Sequence, residues 1–225
     1  MEVKFYILCK LENSMPEVKI GAIASGSGSN FEAIIEASEK GILKKKASVE
    51  VLICNKPGAY CKERAKNHKI PSFLIESDKY LDIPREDFDQ LMINVLKEHE
   101  CELVVLVGYM RLVSQKFIDA FDGKVMNIHP ALLPAFKGMH GHRDALKYGV
   151  KVSGCTVHFV DASSDHGPII IQKCVPVYAT DTEETLASRI LEWEHKIFPK
   201  AIELYCDKRL HVENRIVHIE GVINY

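Results

Sequence analysis

The run Leu103–Val107, LVVLV, is continuously apolar, and it limits the possible folds more than any other feature of the chain. A strand with apolar side chains on both faces needs cover on both faces, which is typical of central strands in a parallel sheet. Two other β-branched runs, Val18–Ala24 and Val49–Cys54, have the same character. The sequence therefore predicts a sheet buried between two layers.

Helix patterns separate these apolar runs. Ser29, with Glu32 three residues later, forms a capping-box signature at the start of the first helix pattern. A second follows Pro84, which stands where a first helical turn tolerates proline. Its apolar stripe is Phe88, Leu91, Met92, Val95 and Leu96. This βαβαβ rhythm predicts an α/β fold with a doubly wound, mostly parallel sheet and right-handed crossovers.

The rhythm changes after residue 150. Gly154–Val160 and Pro168–Val177 are strand-like runs joined by a short polar loop that contains glycine. They predict an antiparallel hairpin in the C-terminal half. A long helix is expected to start near Asp181, and Arg209–Val212 with Arg215–Ile219 predict a small terminal hairpin.

Composition narrows the class of protein. Of the 225 residues, 47% are hydrophobic and 27% are charged, as in an ordinary globular protein. The net charge is -2, so the basic excess of a duplex-binding surface is missing, and we expect no nucleic-acid partner and no membrane partner. The regular pattern begins only after Pro16. We therefore predict that residues 1–16 are an N-terminal extension and that residues 17–225 form a single domain.

The seven cysteines include no C-x-x-C pair, and their number is odd. Cys54, Cys155 and Cys174 lie in apolar strand-like runs, where a thiol behaves as a small hydrophobe. This pattern favours a reducing compartment over a disulfide framework or a zinc ribbon. The apolar start of the chain is broken by Lys4 and Lys10, is too short for a membrane span and lacks an A-x-A cleavage site. We therefore expect a cytoplasmic location.

Ligands of an open α/β sheet bind beyond the carboxyl ends of its strands. The loop Ser25–Asn30, SGSGSN, follows the first strand, and its glycines and the next helix suit a phosphate. It matches neither the P-loop nor the full G-x-G-x-x-G pattern, so a tight turn capped by Ser29 stays an alternative. Gly108–Val113 follows the LVVLV strand and faces the ligand crevice, or is only a surface connection. His140 and His142 have no supporting carboxylate or Cys cluster, so no metal site is predicted.

Asn127 and His129 alternate with Ile128, so on an extended chain both polar side chains point the same way. An amide and an imidazole that converge at a strand end can stabilise an oxyanion and shuttle a proton. The alternative is a hydrogen-bonded histidine without a chemical role. Asp165, at the tip of the predicted hairpin, either orients an imidazole or serves only as a turn residue.

The order and content of these motifs resemble one family. They are SGSGSN, GYMR, NIHP with LLP-x-FKG, G-x-TVHFVD, D-x-GPII-Q and WEHKIFP. Over roughly Val18 to Leu210 the chain resembles phosphoribosylglycinamide formyltransferase, a folate-dependent formyltransferase with a Rossmann-like fold. The resemblance implies transfer of the formyl group of 10-formyltetrahydrofolate to the glycine amine of 5'-phosphoribosylglycinamide in purine (IMP) synthesis. It implies small-molecule substrates, no metal, and a monomer or homodimer.

The resemblance also implies residue roles. Asn127 and His129 would polarise the formyl group, while Asp165 would keep His129 charged and help the proton transfers. The residues that would hold the substrate are Gly28, Ser29 and Asn30 for its phosphate and Glu194 for its ribose. The residues that would line the folate pocket are Met110, Arg111, Leu112, Val113 and Asn127, with Arg85 for the folate tail.

One departure from the family adjoins a candidate catalytic residue. The family commonly has a small residue, as in D-G-G-P, where His166 follows Asp165 here, and an imidazole could shift this loop. Formyltetrahydrofolate deformylase, a hydrolase with the same Asn, His and Asp set, is the nearest alternative. Its members typically have N-I-H-H and carry an N-terminal regulatory domain, for which residues 1–16 are too short. A non-catalytic folate- or nucleotide-binding module is the second alternative, and it has no need of the intact trio.

Overall fold

The computed structural model describes residues 17–221; the predicted extension, residues 1–16, and residues 222–225 lie outside this range. The main sheet contains β1 (Val18–Ala24), β2 (Ala47–Cys54), β3 (Ser72–Leu74), β4 (Leu103–Leu106), β5 (Val125–His129), β6 (Val152–Phe159) and β7 (Ile169–Pro176). A second, two-stranded sheet contains β8 (Leu210–Glu213) and β9 (Ile216–Ile219). The helices are α1 (Ser29–Glu39), α2 (Cys61–Asn67), α3 (Arg85–Glu98), α4 (Gln115–Asp119), α5 (Gly141–Tyr148) and α6 (Glu183–Cys206), with a short 3-10 helix at Ser77–Tyr80.

The strand order of the main sheet is β3-β2-β1-β4-β5-β6-β7. The first five strands are parallel, whereas β6 is antiparallel to both β5 and β7. The doubly wound sheet and the C-terminal antiparallel hairpin are therefore confirmed. The strand order reverses between β1 and β4, which is where ligands bind in sheets of this kind.

The core lies on both faces of the sheet, as the LVVLV run predicts. Val105 belongs to a buried cluster with side chains of α1 and α6, whereas its neighbour Val104 belongs to a second cluster with side chains of α3 and α4. The largest helical contributors are Phe31 and Phe198 on the first face and Phe88 and Phe117 on the second. Successive residues of one strand thus fill two different layers.

The start of α1 differs from the prediction. Gly28 precedes the helix with φ 70°, and no side chain caps the helix, so the predicted capping box is wrong. The Glu32 carboxylate instead accepts from Arg64 Nη1 and contacts His68 Nε2, both at 2.9 Å. A Cβ at position 28 would lie 2.6 Å from the Cβ of Cys61, so both the backbone angle and this close approach require glycine.

The remaining elements of the C-terminal half are those that the sequence predicts, but one cysteine prediction is wrong. The expected long helix is α6, and the terminal hairpin is β8–β9. Cys54 and Cys155 are buried, but Cys174 is exposed because β7 forms the edge of the sheet, so its expected burial is wrong.

Between residues 17 and 221, no helix is long and apolar enough to cross a membrane. The same part of the chain has no group of three or more His, Cys, Asp or Glu side chains that could hold a metal ion.

Helix α6 begins with a reciprocal capping box that offers a test of its stability. Thr185 N donates to Thr182 Oγ1 at 3.3 Å, and Thr182 N donates to Thr185 Oγ1 at 2.9 Å. We expect Thr182→Ala to lower the free energy of unfolding by about 1 kcal/mol, because a helical N–H loses its acceptor. Urea denaturation measures the change, and Thr180→Ala, in the preceding loop, is the control. Equal losses in the two variants would contradict the assignment.

Candidate functional site

The predicted catalytic trio meets at the carboxyl end of β5. Asn127 and His129 belong to β5, and Asp165 comes from the loop between β6 and β7. His129 Nδ1 lies 3.5 Å from Asp165 Oδ1, and His158 Nε2 lies 3.9 Å from the same oxygen. Asn127 Nδ2 lies 3.3 Å from His158 Nε2. The structure therefore brings the three predicted residues into one cluster, in which His129 faces Asp165 directly and Asn127 is linked to Asp165 through His158, while their chemical roles stay predictions.

The imidazole of His129 is buried between two oxygen acceptors. Its Nε2 lies 2.8 Å from the backbone carbonyl of Phe136, to which it donates, and its Nδ1 faces Asp165. The side chain is 4% exposed, so water does not replace these partners. A ring with protons on both nitrogens satisfies both acceptors. The 3.5 Å separation between His129 Nδ1 and Asp165 Oδ1 is longer than that of an ordinary hydrogen bond.

Asp165 is held in a backbone conformation that few non-glycine residues adopt. Its φ is 47°, in the left-handed region, where sterics cost an L-residue of order 1 kcal/mol or more. The backbone N–H of Gly138 donates to Oδ2 at 2.8 Å. The next glycine, Gly167, lies so close to Phe159 that a Cβ would overlap its carbonyl oxygen. These contacts give a physical reason for the Asp-x-Gly-Pro motif.

His158 has no predicted role in the sequence, yet it contacts two members of the trio. Its Nδ1 donates to the backbone carbonyl of Phe159 at 2.7 Å, which leaves Nε2 to accept from the Asn127 amide. Burial lowers the pKa of His158, which favours this neutral tautomer. Its register explains its place, because Asn127 stands opposite His158 in the β5–β6 ladder. The TVHFVD motif signals its presence, but only the strand pairing reveals its partner.

Thr156 is the second residue that the sequence leaves without a role. It stands opposite His129 in the ladder and is fully buried. Its Oγ1 donates to the Ala131 carbonyl at 2.7 Å and accepts from the backbone N–H of Leu133 at 3.1 Å. Gln172 Nε2 adds a contact of 3.0 Å to the same oxygen. Thr156 thus fixes the loop that follows the Asn-Ile-His-Pro motif.

The two predicted ligand loops at the switch point contact each other. Ser25 N donates to the carbonyl of Gly108 at 3.2 Å, and Met110 N donates to Ser25 Oγ at 3.1 Å. Arg64 Nε supports the first loop through the carbonyl of Ser27 at 2.9 Å. The candidate phosphate loop, which includes Ser29, therefore lies beside the candidate folate segment.

A hydrogen bond between Asn30 and Glu194 connects α1 with α6. Asn30 Nδ2 donates to Glu194 Oε2 at 2.7 Å, across 164 positions of sequence. Burial raises the pKa of Glu194, and the bond from Asn30 opposes this effect only in part. Within residues 17–221, the buried Oδ1 of Asn30 has no hydrogen-bond partner. An unpaired buried acceptor beside a carboxylate is a polar site suited to a ligand hydroxyl.

The predicted folate segment exposes apolar side chains beside basic ones. Met110 is 59% exposed and Leu112 is 45% exposed, whereas the Val113 side chain is buried, so only its backbone is left to face a ligand. The Arg111 guanidinium lies over the ring of Phe88 at 4.7 Å. Arg85 is the exposed first residue of α3.

Thr156 allows a test of its contacts. Thr156→Val keeps the shape but removes the hydroxyl, so the buried groups at Ala131 and Leu133 lose their partner. We expect the free energy of unfolding in urea to fall by about 1–3 kcal/mol. Thr156→Ser keeps the hydroxyl and is the matched control. A valine variant as stable as the serine variant would show that these bonds contribute nothing.

Glu194 gives a pH-dependent prediction. Its folded-state pKa is raised above the ordinary value of 4.5, so its protonated form stabilises the fold below that value and this contribution is lost as pH rises through the folded pKa. Glu194→Gln keeps an acceptor for Asn30 without the charge. We expect this variant to be more stable than the parent chain at pH 8 and nearly equal to it at pH 4, by urea denaturation. Glu192→Gln, at an exposed site of α6, is the control, and a difference independent of pH would contradict the burial effect.

Comparison with known proteins identifies the family. The formyl transferase family model matches residues 18–202. Phosphoribosylglycinamide formyltransferase of Bacillus subtilis is 45% identical over 188 residues, which cover 82% of this chain and 93% of that protein. The trifunctional purine biosynthetic protein adenosine-3 of Chironomus tentans is 42% identical over 85% of this chain, which spans only 14% of its length. The crystal structure of glycinamide ribonucleotide transformylase 1 from Symbiobacterium toebii superimposes with a TM-score of 0.87 at 43% identity, covering 91% of this chain and 95% of that one. The chain therefore belongs to the formyl transferase family, among the phosphoribosylglycinamide formyltransferases.

Proposed function

We propose that the chain transfers the formyl group of 10-formyltetrahydrofolate to the glycine amine of 5'-phosphoribosylglycinamide, a step of purine synthesis. The observation that carries the proposal is the cluster at the end of β5, where His129 Nδ1 lies 3.5 Å from Asp165 Oδ1 and His158 links the Asn127 amide to the same carboxylate. Family membership supports the same reaction, since relatives of similar length are named for it.

In the proposed reaction, the unprotonated amine adds to the formyl carbon, and the formyl oxygen becomes an oxyanion. Asn127 has two amide N–H groups, of which one is committed to His158 Nε2 and the other is free to donate to this oxygen. His129 Nε2 is held by the Phe136 carbonyl, so we assign the second donor to the Nδ1 side, which faces Asp165. Each donor of this kind contributes about 10²–10³-fold to the rate.

The proton balance assigns a role to Asp165. The attacking amine loses a proton after its C–N bond forms, and the folate nitrogen gains one as its bond to the formyl carbon breaks. We assign to the Asp165 carboxylate, 3.5 Å from His129 Nδ1, the stabilisation of a positive charge on His129 and the transfer of a proton from the amine towards the folate nitrogen. No Ser or Cys nucleophile takes part in this scheme.

The substrate phosphate is assigned to Gly28, Ser29 and Asn30, at the start of α1. Free N–H groups and the positive end of the helix dipole favour an anion there. An open groove of about 730 Å³ adjoins Ser29 and is lined in part by Arg64, His195 and Lys196. Arg64 and Lys196 therefore lie near the candidate loop, in a groove that Glu32 and Glu36 also line. We assign the ribose hydroxyls to Glu194, because its hydrogen bond from Asn30 uses one carboxylate oxygen and the other oxygen has acceptor capacity.

The folate is assigned to the segment after β4 and to the start of α3. Exposed Met110 and Leu112 provide apolar contacts for a ring system, while the backbone of Val113 and the amide of Asn127 provide polar ones. Arg111 and Arg85 carry the positive charge that the carboxylates of a folate tail require, and both act electrostatically on the buried carboxyl of Asp89. Because both arginines act on the same carboxyl of Asp89, we place them in one basic region that can bind the folate tail.

We further infer that residues 17–225 form one formyltransferase domain, active in the cytoplasm as a monomer or homodimer. The family match over residues 18–202 supports the single domain. The reducing environment that its free thiols require supports the location.

A formyl-transfer assay with and without the amine substrate tests this function. We expect folate release that depends on phosphoribosylglycinamide and falls by about 10²–10⁴-fold in His129→Ala and in Asp165→Asn. His218→Ala, at an exposed histidine of β9, is the control and should keep the parent rate. Equal folate release without the amine would favour the deformylase, and no release under either condition would favour a binding module.

A further inference from the structure

His166, the departure from the family pattern, is bonded on two sides. Its Nδ1 lies 2.6 Å from Asp161 Oδ2, at the start of the same loop. Its backbone carbonyl accepts from Nη2 of Arg215, and Arg215 Nη1 lies 3.4 Å and 3.3 Å from the two ring nitrogens. The imidazole therefore lies between a carboxylate and a guanidinium.

Arg215 belongs to the turn between β8 and β9, 49 positions from His166 in sequence. The turn follows α6 and belongs to a different sheet from the candidate site. A bond from a guanidinium to a backbone carbonyl is charge-assisted, and it fixes the main chain rather than a mobile side-chain end. The small terminal hairpin is thereby attached to the loop that carries Asp165.

The loop needs such an attachment because Asp165 is strained. A non-glycine residue at φ 47° persists only where surrounding contacts over-determine it. Within the described chain, some other side-chain hydrogen bonds of this loop are local, such as the bond that Ser163 N donates to Asp161. From outside the loop, Gly138 N donates to Asp165. Arg215 supplies the contact from outside the site, one peptide plane beyond Asp165.

We propose that Arg215, acting through His166, is a positioning residue that holds Asp165 against His129 for the formyl transfer. This inference rests on the proposed function. The inference also assigns a role to His166, because its ring contacts both the Arg215 guanidinium and the Asp161 carboxylate. A glycine at this position has no side chain and could contact neither group.

The exposure of these groups determines the size of the effect. Arg215 is exposed, and the side chains of His166 and Asp161 are 48% and 36% exposed, so the contacts among these three residues contribute little to global stability. The expected consequence of losing Arg215 is therefore a looser Asp165 rather than an unfolded chain. Because a looser Asp165 acts on the chemical step, the loss should appear in kcat.

The test compares Arg215→Ala with Arg215→Lys. We expect kcat of Arg215→Ala to fall about 5- to 10-fold, with the KM for phosphoribosylglycinamide and the melting temperature unchanged. Arg215→Lys should recover part of the loss, because an ammonium also donates to the His166 carbonyl. Glu213→Gln, in the same hairpin, is the control and should match the parent chain. A parent-like kcat in Arg215→Ala would overturn the proposal.

A double-mutant cycle separates this inference from the proposed function. If Arg215 acts only by positioning Asp165, adding Arg215→Ala to Asp165→Asn should change kcat less than about twofold. A full 5- to 10-fold further loss would show that Arg215 acts elsewhere and would overturn the positioning role. An Asp165→Asn variant with parent-like activity would instead contradict the role proposed for Asp165 itself.

Discussion

The antiparallel pairing of β5 with β6 determines the arrangement of the candidate site. Its register places Asn127 opposite His158 and His129 opposite Thr156. Residues directly opposite in a ladder share a face, so both pairs face the same way. A slip of one residue would turn Val157 toward the site and bury both polar partners in the core. The orientation of the Asn127 amide and the shape of the loop after His129 both follow from this register.

The parallel half of the sheet positions the two candidate ligand loops and the start of α1. The carboxyl ends of β1 and β4 meet where the strand order reverses, and Ser25 joins their loops by hydrogen bonds. Helix α6 crosses one face of the sheet and brings Glu194 to the start of α1. One mixed sheet thus combines the two candidate ligand loops, at the ends of parallel strands, with the cluster of Asn127, His129 and Asp165, at an antiparallel pair.

Local patterns predict the elements of this fold better than they predict its contacts. The apolar run Leu103–Val107 fixes a two-sided core, and the motifs locate Asn127, His129 and Asp165. The capping role of Glu32 fails because Arg64 and His68, far along the chain, take its carboxylate. Strand β3 has only three residues, all of them exposed, and it is not among the strands predicted from the sequence. The partners of His158, Thr156 and His166 depend on strand register or on a distant hairpin, which local periodicity does not encode.

The bond between Asn30 and Glu194 has a consequence for the synthesis of the chain. Its two partners are separated by 164 positions, so Asn30 leaves the ribosome long before its acceptor is made. Proteins are made from the N-terminus, and contacts between distant segments close late because the intervening chain must first be ordered. The loop and the carboxylate to which we assign the substrate phosphate and ribose can therefore come together only after α6 is complete. A nascent chain that stops before this helix carries the Asn-Ile-His-Pro motif but only part of the proposed substrate pocket.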